Sequence, residues 1–334
     1  MSYDYDDHTR FERPRRYTRP RTKNRPRYED ATEAVVVTVD RGRFTCLLDD
    51  EDVVVTAMKS RPLGRKAVVV GDRVRLVGDI SGTEGALARI VEVDERRTVL
   101  RRTADDSDPV ERVIVANADQ LVVVTALADP EPRPRLVDRA LVAAYDAGLD
   151  PLLCLTKPDL ADPENLLSTY RPLGVPYVVV HRGHDPVDLR ARLAGRTSVL
   201  VGHSGVGKST LVNALVPGAD RAIGEVNEVT GRGRHTSTSA LMLRLPAYDG
   251  GDGGWIVDTP GVRSFGLAHV NPERLIDAFP DLAQATEDCP RGCTHADTEP
   301  ECGLDEAVQA GTADPARVRS FRRLLASRER AEGD

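Results

Sequence analysis

The sequence lacks any long apolar run. Its longest, such as residues 121–124, falls far short of the roughly 20 apolar residues that cross a bilayer. No apolar signal-peptide core lies near the start. Positive charge is not in excess either: 46 Lys and Arg face 53 Asp and Glu, a net charge of -7. A general polyanion binder is thereby excluded, and any nucleic-acid contact must come from local basic stretches. Cysteines number only five. Cys46 and Cys154 stand alone in apolar runs, which suits inert core thiols. The other three cluster near the C-terminus, which suggests a metal rather than disulfides. These features point to the cytoplasm, with no membrane partner.

What is present centres on Gly202-His203-Ser204-Gly205-Val206-Gly207-Lys208-Ser209-Thr210, which fits the phosphate-binding P-loop. Residues 197–201 read as a buried strand entering it and 208–215 as a helix leaving it. The glycines let backbone N–H groups face a phosphate chain, and the helix N-terminus favours the anion. Lys208 is expected to reach the β- and γ-phosphates and Ser209 to ligate magnesium. Residues 255–257 form a short apolar run into Asp258-Thr259-Pro260-Gly261. A carboxylate at a strand end before such a turn is a nucleotide switch: Asp258 holds magnesium and the Gly261 N–H senses the γ-phosphate. Between the two lies Gly231-Arg232-Gly233-Arg234-His235-Thr236-Ser237-Thr238. Thr236 is the expected switch ligand to magnesium, with Thr238 as the spare.

Guanine selection needs a carboxylate, normally in an N-K-x-D motif downstream of the switch. None occurs there. Upstream, after an apolar strand, stands Thr156-Lys157-Pro158-Asp159. Asp159 can accept from the base and the Lys157 stem can cover it. The order base motif, P-loop, switch implies a circularly permuted GTPase sheet.

The remainder divides around this unit. Residues 1–30 have no apolar periodicity and carry nine basic residues between Arg10 and Arg27, which suits an arm on RNA phosphates. Residues 31–102 read as short strands with Gly/Asp turns, a small barrel of OB type closed by segments 86–93 and 98–101. Only Phe44 offers an aromatic for base stacking there, so backbone contact is the expectation. Residues 103–268 alternate strands and helices around a largely parallel sheet. In 269–334, Cys289, Cys293, His295 and Cys302 make a Cys3His set suited to one structural zinc. A helix then starts at Asp314-Pro315 with apolar Val318, Phe321, Leu324 and Leu325. Its six arginines fit either rRNA docking or a solvated face.

These motifs together resemble the RsgA/YjeQ family of circularly permuted GTPases. The resemblance rests on G-x-S-G-V-G-K-S-T at 202–210, G-R-G-R-H-T at 231–236, D-T-P-G-V-R-S-F at 258–265 and the Cys/His cluster, and it covers roughly residues 31–325. It implies an OB-fold, a permuted GTPase domain, a mainly helical zinc domain, and GTP hydrolysis stimulated by the small ribosomal subunit in its late maturation. GTP and GDP, Mg2+ and rRNA are the implied partners, for a monomer. Thr156 stands where the family has Asn, which loses an amide bracing the guanine site and predicts weaker GTP affinity. His181-Arg182-Gly183 replaces the family's sugar-side S-A loop. Val262 occupies the position from which Ras-like enzymes orient water through Gln, so turnover unaided should be slow. His235 is the nearest residue able to position water, and the resemblance supports it. The competing reading is a P-loop ATPase or kinase of a small molecule with an accessory β-domain; a further one is an RNA-binding scaffold with a vestigial site, against which intact Lys208, Ser209 and Asp258 argue.

Overall fold

The computed structural model describes residues 30–40, 42–49, 53–64, 67–103, 111–219, 240–259, 267, 270–287 and 289–329. The basic N-terminal stretch, the segment 231–238 and the turn at 260–262 lie outside them.

Five β-rich segments build the barrel: β1 (Thr32–Asp40), β2 (Arg43–Leu48), β3 (Val54–Lys59), β4 (Arg73–Gly78) and β5 (Ala88–Val93). Each of β1–β2, β2–β3, β5–β4 and β4–β1 pairs antiparallel, and β3 pairs parallel with β5. The circuit therefore closes as a five-stranded OB-type barrel. Val36, Phe44, Cys46, Val55, Leu76 and Ile90 fill it. Burial pushes the Cys46 thiol up to about 12, as an inert core thiol requires. One expectation fails. The segment at 98–101 does not close the barrel: β6 (Val99–Arg102) pairs with β7 (Arg112–Ala116) as a separate ribbon. The circuit is already closed by the β4–β1 pairing. Val70 forms a single isolated bridge to Val115.

The ribbon and the barrel are bound at a polar joint. Asp72 is fully buried and accepts from Arg96 Nε at 2.6 Å, Arg96 Nη2 at 2.9 Å and the Val69 N–H at 2.8 Å. Asn117, just past β7, donates from Nδ2 to the Gly71 carbonyl at 2.8 Å. A buried ion pair with this many partners fixes geometry more than it adds stability.

The central sheet contains β8 (Gln120–Ala126), β9 (Asp150–Thr156), β10 (Tyr177–Val180), β11 (Thr197–Val201), β12 (Leu241–Arg244) and β13 (Trp255–Asp258). Its order is β10-β9-β8-β11-β13-β12, and only β12 runs antiparallel to its neighbour. All seven β8 residues are buried, which is why that strand reads as one apolar run. Successive side chains take opposite faces. Leu121 and Val123 join one core with α1 (Pro134–Asp146), while Val122 and Val124 join another with α3 (Val187–Leu193) and α4 (Lys208–Leu215). α2 (Glu164–Tyr170) leads to the turn before β10. The chain winds outward through β8, β9 and β10, then returns to β11 beside β8 and winds the other way. β9, which ends in the base motif, comes before β11, which enters the P-loop, and this is the permuted order expected from the motifs. Unforeseen is a bond between modules: β12 pairs antiparallel with β1 through Thr38 and Leu241, so barrel and central sheet are one hydrogen-bonded surface.

C-terminal to the sheet come α5 (Pro280–Gln284), α6 (Gly303–Gln309) and α7 (Pro315–Glu329). Phe321 is fully buried, with its ring centroid 5.4 Å from that of Phe279, edge to face. Three arginines of α7 face protein. Arg317 pairs with Asp281 and donates to the Pro172 carbonyl at 2.9 Å. Arg322 forks onto Asp305 at 2.7 and 2.8 Å. Arg323 Nε reaches Asp138 of α1 at 3.1 Å, its guanidinium 5.1 Å from the Tyr170 ring centroid. Arg317 and Arg323 thus tie α7 to the sheet layer, Arg322 ties it to α6, and Arg319 is left exposed.

Candidate nucleotide site and candidate metal centre

The P-loop follows β11, next to the point where the winding reverses. In open α/β sheets that crevice, beyond the carboxyl ends of the strands, is where ligands bind. Strand register brings the other motifs there. Leu200 lies opposite Asp258, Val201 opposite Val123, and Ala126 opposite Thr156. The P-loop, the Thr156–Asp159 motif and Asp258 thus converge from three strand ends, β11, β9 and β13, with β8 lying between β9 and β11.

Two glycines are forced. A Cβ on Gly202 would lie 2.2 Å from the Val124 carbonyl oxygen, so only glycine lets the loop leave the sheet there. Gly207 has φ +96° and caps α4, turning the chain so that Lys208 opens the helix. The Lys208 ammonium donates to the Gly202 carbonyl at 2.5 Å and the His203 carbonyl at 3.0 Å, poised across the loop. Ser209 and Thr210 are exposed in the first turn of α4, Ser204 and Gly205 are exposed in the loop, and Val206 is buried. His203 Nδ1 lies 2.9 Å from the Ser204 carbonyl. Asp258 is half-buried, and burial raises its pKa against the opposing pull of Lys208. A carboxylate so placed favours a neighbouring cation. Thr259 is buried and donates to the Leu200 carbonyl at 2.9 Å, fixing the end of β13 to the P-loop strand.

At the end of β9, Thr156 is buried. Its hydroxyl lies 2.7 Å from the Val206 carbonyl of the P-loop and 3.4 Å from the Thr125 carbonyl. A hydroxyl, rather than the family's amide, contacts the P-loop here. Lys157 has φ +57°, and its ammonium donates to the Asp129 carbonyl. Asp159 stands exposed in a turn closed by the Leu160 N–H on the Lys157 carbonyl at 3.1 Å. Asp129 and Pro130, in the loop after β8, were not singled out in the sequence. Pro130 Cδ comes 3.6 Å from where a Cβ of Gly205 would sit. The available signal was position: the loop leaves a buried strand beside β11. His235, Thr236 and Gly261 lie outside the described residues.

The second site is Cys289, Cys293, His295 and Cys302, whose donor atoms all lie within 4.8 Å of one another. His295 Nδ1 is 3.7 Å from Cys289 Sγ, 3.4 Å from Cys293 Sγ and 3.7 Å from Cys302 Sγ. A tetrahedral ion with the usual metal–ligand lengths needs about 3.6 Å between such atoms, so the set fits a metal. The three residues between Cys289 and Cys293 are enough to bring both thiols to the cluster. The Gly303 N–H donates to Cys289 Sγ at 3.2 Å, and Arg322 Nε holds the His295 carbonyl at 2.9 Å. Burial, then the Arg322 charge, lowers the His295 pKa, which keeps the imidazole in its ligating form.

Residues 93–268 match the family described as RsgA GTPase. The chain is 40% identical over 270 residues to the small ribosomal subunit biogenesis GTPase RsgA of Pseudomonas aeruginosa (strain LESB58), covering 78% of this chain and 76% of that protein. It is 44% identical over 223 residues to the protein of the same name from Ectopseudomonas mendocina, covering 64% and 63%. Among solved structures, YjeQ from Thermotoga maritima aligns with a TM-score of 0.63 at 27% identity, over 90% of this chain and 99% of that one. YloQ, a circularly permuted GTPase, shares the fold with a TM-score of 0.63 at 23% identity, over 91% and 98%.

Proposed function

The chain belongs to the RsgA GTPase family, and we propose that it hydrolyses GTP on the small ribosomal subunit during late maturation, its nucleotide state controlling its grip on rRNA. The observation that carries this is the convergence of P-loop, base motif and Asp258 at the reversal point of a permuted sheet.

In this reading residues 202–210 cradle the phosphates of GTP or GDP, with the Lys208 ammonium moving from loop carbonyls to phosphate oxygens. Asp159 accepts from guanine and the Lys157 stem covers the base. Mg2+ would be held by Ser209, Thr236 and Asp258 and would neutralise charge on the phosphate oxygens. Gly261 senses the γ-phosphate, and His235 orients the attacking water on the ribosome. The Cys3His set holds one structural zinc: the closed donor set leaves no position for substrate. The working division is a basic tail at 1–30 touching RNA, an OB-fold at 31–102, the GTPase domain at 103–268 and the zinc domain at 269–334, in a cytoplasmic monomer.

The test is phosphate release from GTP and from ATP, with and without purified small subunits. Slow GTP turnover that rises steeply with subunits is expected, and His235→Ala should abolish the rise while GTP still binds. ATP turnover indifferent to ribosomes would overturn the reading in favour of a small-molecule kinase or ATPase.

A further inference from the structure

We infer that a cleft at the amino ends of the central strands binds a small organic anion, a carboxylate or phosphate group carried on a flat apolar body. Gln120, Asp150 and Tyr177 are the first residues of β8, β9 and β10, and Arg196 directly precedes β11. These strands run parallel, so the P-loop, the base motif and Asp258 lie at their opposite ends. The cleft is thus separate from the nucleotide site, and the inference does not depend on the GTP reading.

The cleft has two lobes. One, of about 390 Å³, is lined by the polar side chains of Gln120, Tyr145, Asp150, Arg192 and Arg196, with Leu152 and Leu173 among its apolar walls. The other, of about 500 Å³, is lined by Val175, Tyr177 and Arg171 among others. Gly174, Pro176 and Arg192 belong to both, so the lobes are continuous and Arg192 stands where they meet. Each lobe has the size of a small-molecule site. Ala278, from the 3-10 turn Pro272–Ala278 that follows the sheet, closes part of the first lobe, so an occupant would touch both the sheet and the C-terminal layer.

The polar groups of the first lobe are donors with too few acceptors. Its one carboxylate, Asp150, is taken by Arg196, Nη1 to Oδ2 at 2.8 Å. Arg192, exposed in the last turn of α3, pairs with no carboxylate among the described residues. Gln120 is 5% exposed. Its side-chain oxygen lies 3.3 Å from Ser198 Oγ, and its amide nitrogen has no protein partner among the described residues. Leaving such a buried donor unmet is costly. Burial pushes the Tyr145 phenol up to about 12, so its hydroxyl keeps its proton. A guanidinium, an amide and a phenol lining one lobe together call for acceptor oxygens that carry negative charge. The second lobe adds no free charge, because Arg171 forks onto Glu164 at 2.5 and 2.7 Å. It offers instead Val175 and Tyr177, the latter 43% exposed, as surface for an apolar body.

The experiment uses the full chain in excess Mg2+ and GDP, which keeps the nucleotide site filled. The probes are para-fluorophenyl phosphate, para-fluorobenzoate and the weakly acidic body alone, para-fluorophenol, each titrated by fluorine NMR. At least one anion should bind with a Kd of about 1 mM or tighter, and the phenol at least about tenfold more weakly. Either anion supports the inference, and the tighter one names the group the site takes. Arg192→Met should weaken that anion about tenfold, as expected for one charge-assisted bond, and Gln120→Met about threefold. Saturating anion should raise the unfolding midpoint of the parent, and the shift should vanish in Arg192→Met. Arg182→Ala, in the loop at the far end of β10, should bind like the parent. No saturable binding of either anion, phenol binding as tight as theirs, or undiminished binding by Arg192→Met would overturn the inference. So would an equal loss in Arg182→Ala, which would put the probe at the nucleotide end of the sheet.

Discussion

Arg323→Met should loosen the C-terminal helix from the sheet layer and unfold the chain's core more easily. Asp138 is 3% exposed, and its Oδ1 has no protein partner, so Arg323 is the main compensation for its charge. Removing one partner of a buried pair costs about 3–5 kcal/mol. Because the Arg323 side chain is 33% exposed, the lower figure applies, about 3 kcal/mol or roughly two decades in the unfolding equilibrium. The change has a pH signature. Burial raises the Asp138 pKa, and Arg323 opposes that rise. A carboxyl whose folded pKa is raised stabilises the fold fully below its unfolded value and loses that contribution as pH climbs through the folded value. Without Arg323 the rise is larger. The deficit of the variant should therefore be greatest near about pH 7 and shrink towards about pH 4. Trp255 is the single tryptophan and lies on β13, so its fluorescence in urea reports the sheet itself. Adding Asp138→Leu to Arg323→Met should recover most of the loss, since an apolar pair replaces a buried charge. A deficit under about 1 kcal/mol, or one that does not vary with pH, would refute the reasoning.

Four further outcomes follow from the sites. Asp159→Asn should weaken guanine binding about a hundredfold and improve xanthine nucleotide binding, read by competition against labelled GDP. Lys208→Ala should reduce ribosome-stimulated phosphate release by at least about two decades while the Trp255 unfolding midpoint barely moves. Chelation of the purified chain should release about one zinc per chain and destabilise α6 and α7, whereas Cys302→Ser should be isolated without metal, both measured by elemental analysis and circular dichroism. Deleting residues 1–28 should flatten the salt dependence of RNA affinity, and an unaltered slope would remove the tail from RNA contact.

Much of the architecture was legible because its strongest signals are local. β11 and α4 have the bounds expected from the sequence, since buried parallel strands read as apolar runs and the P-loop punctuates the chain sharply. The four-residue metal set was legible from composition, because Cys and His seldom crowd so closely without a ligand. What could not be read was pairing between distant segments. Nothing near Thr98 says that its strand prefers β7 to the barrel. The arginines of α7 advertise charge, but their partners Asp138, Asp281 and Asp305 come from three separate elements. Thr156 looked like a defect in a motif, because a motif records residue types and not the carbonyl that a hydroxyl can reach. Asp129 and Pro130 carry no signature at all; only the sheet order places them beside the P-loop.

The pairing of β1 with β12 bears on how this chain can be divided. The family match begins at residue 93, which invites removal of everything before it. Such a cut would take away β1 and expose the unbonded side of β12, with Leu241 and Leu243 along it. An uncovered strand of that kind is a template for pairing with its own copies. The truncated enzyme would then precipitate or self-associate for a reason unrelated to catalysis, and its inactivity would be misread as dependence on RNA binding. A shortened chain that keeps residues 32–40, or that carries a charged residue in place of Leu241, would separate these two explanations.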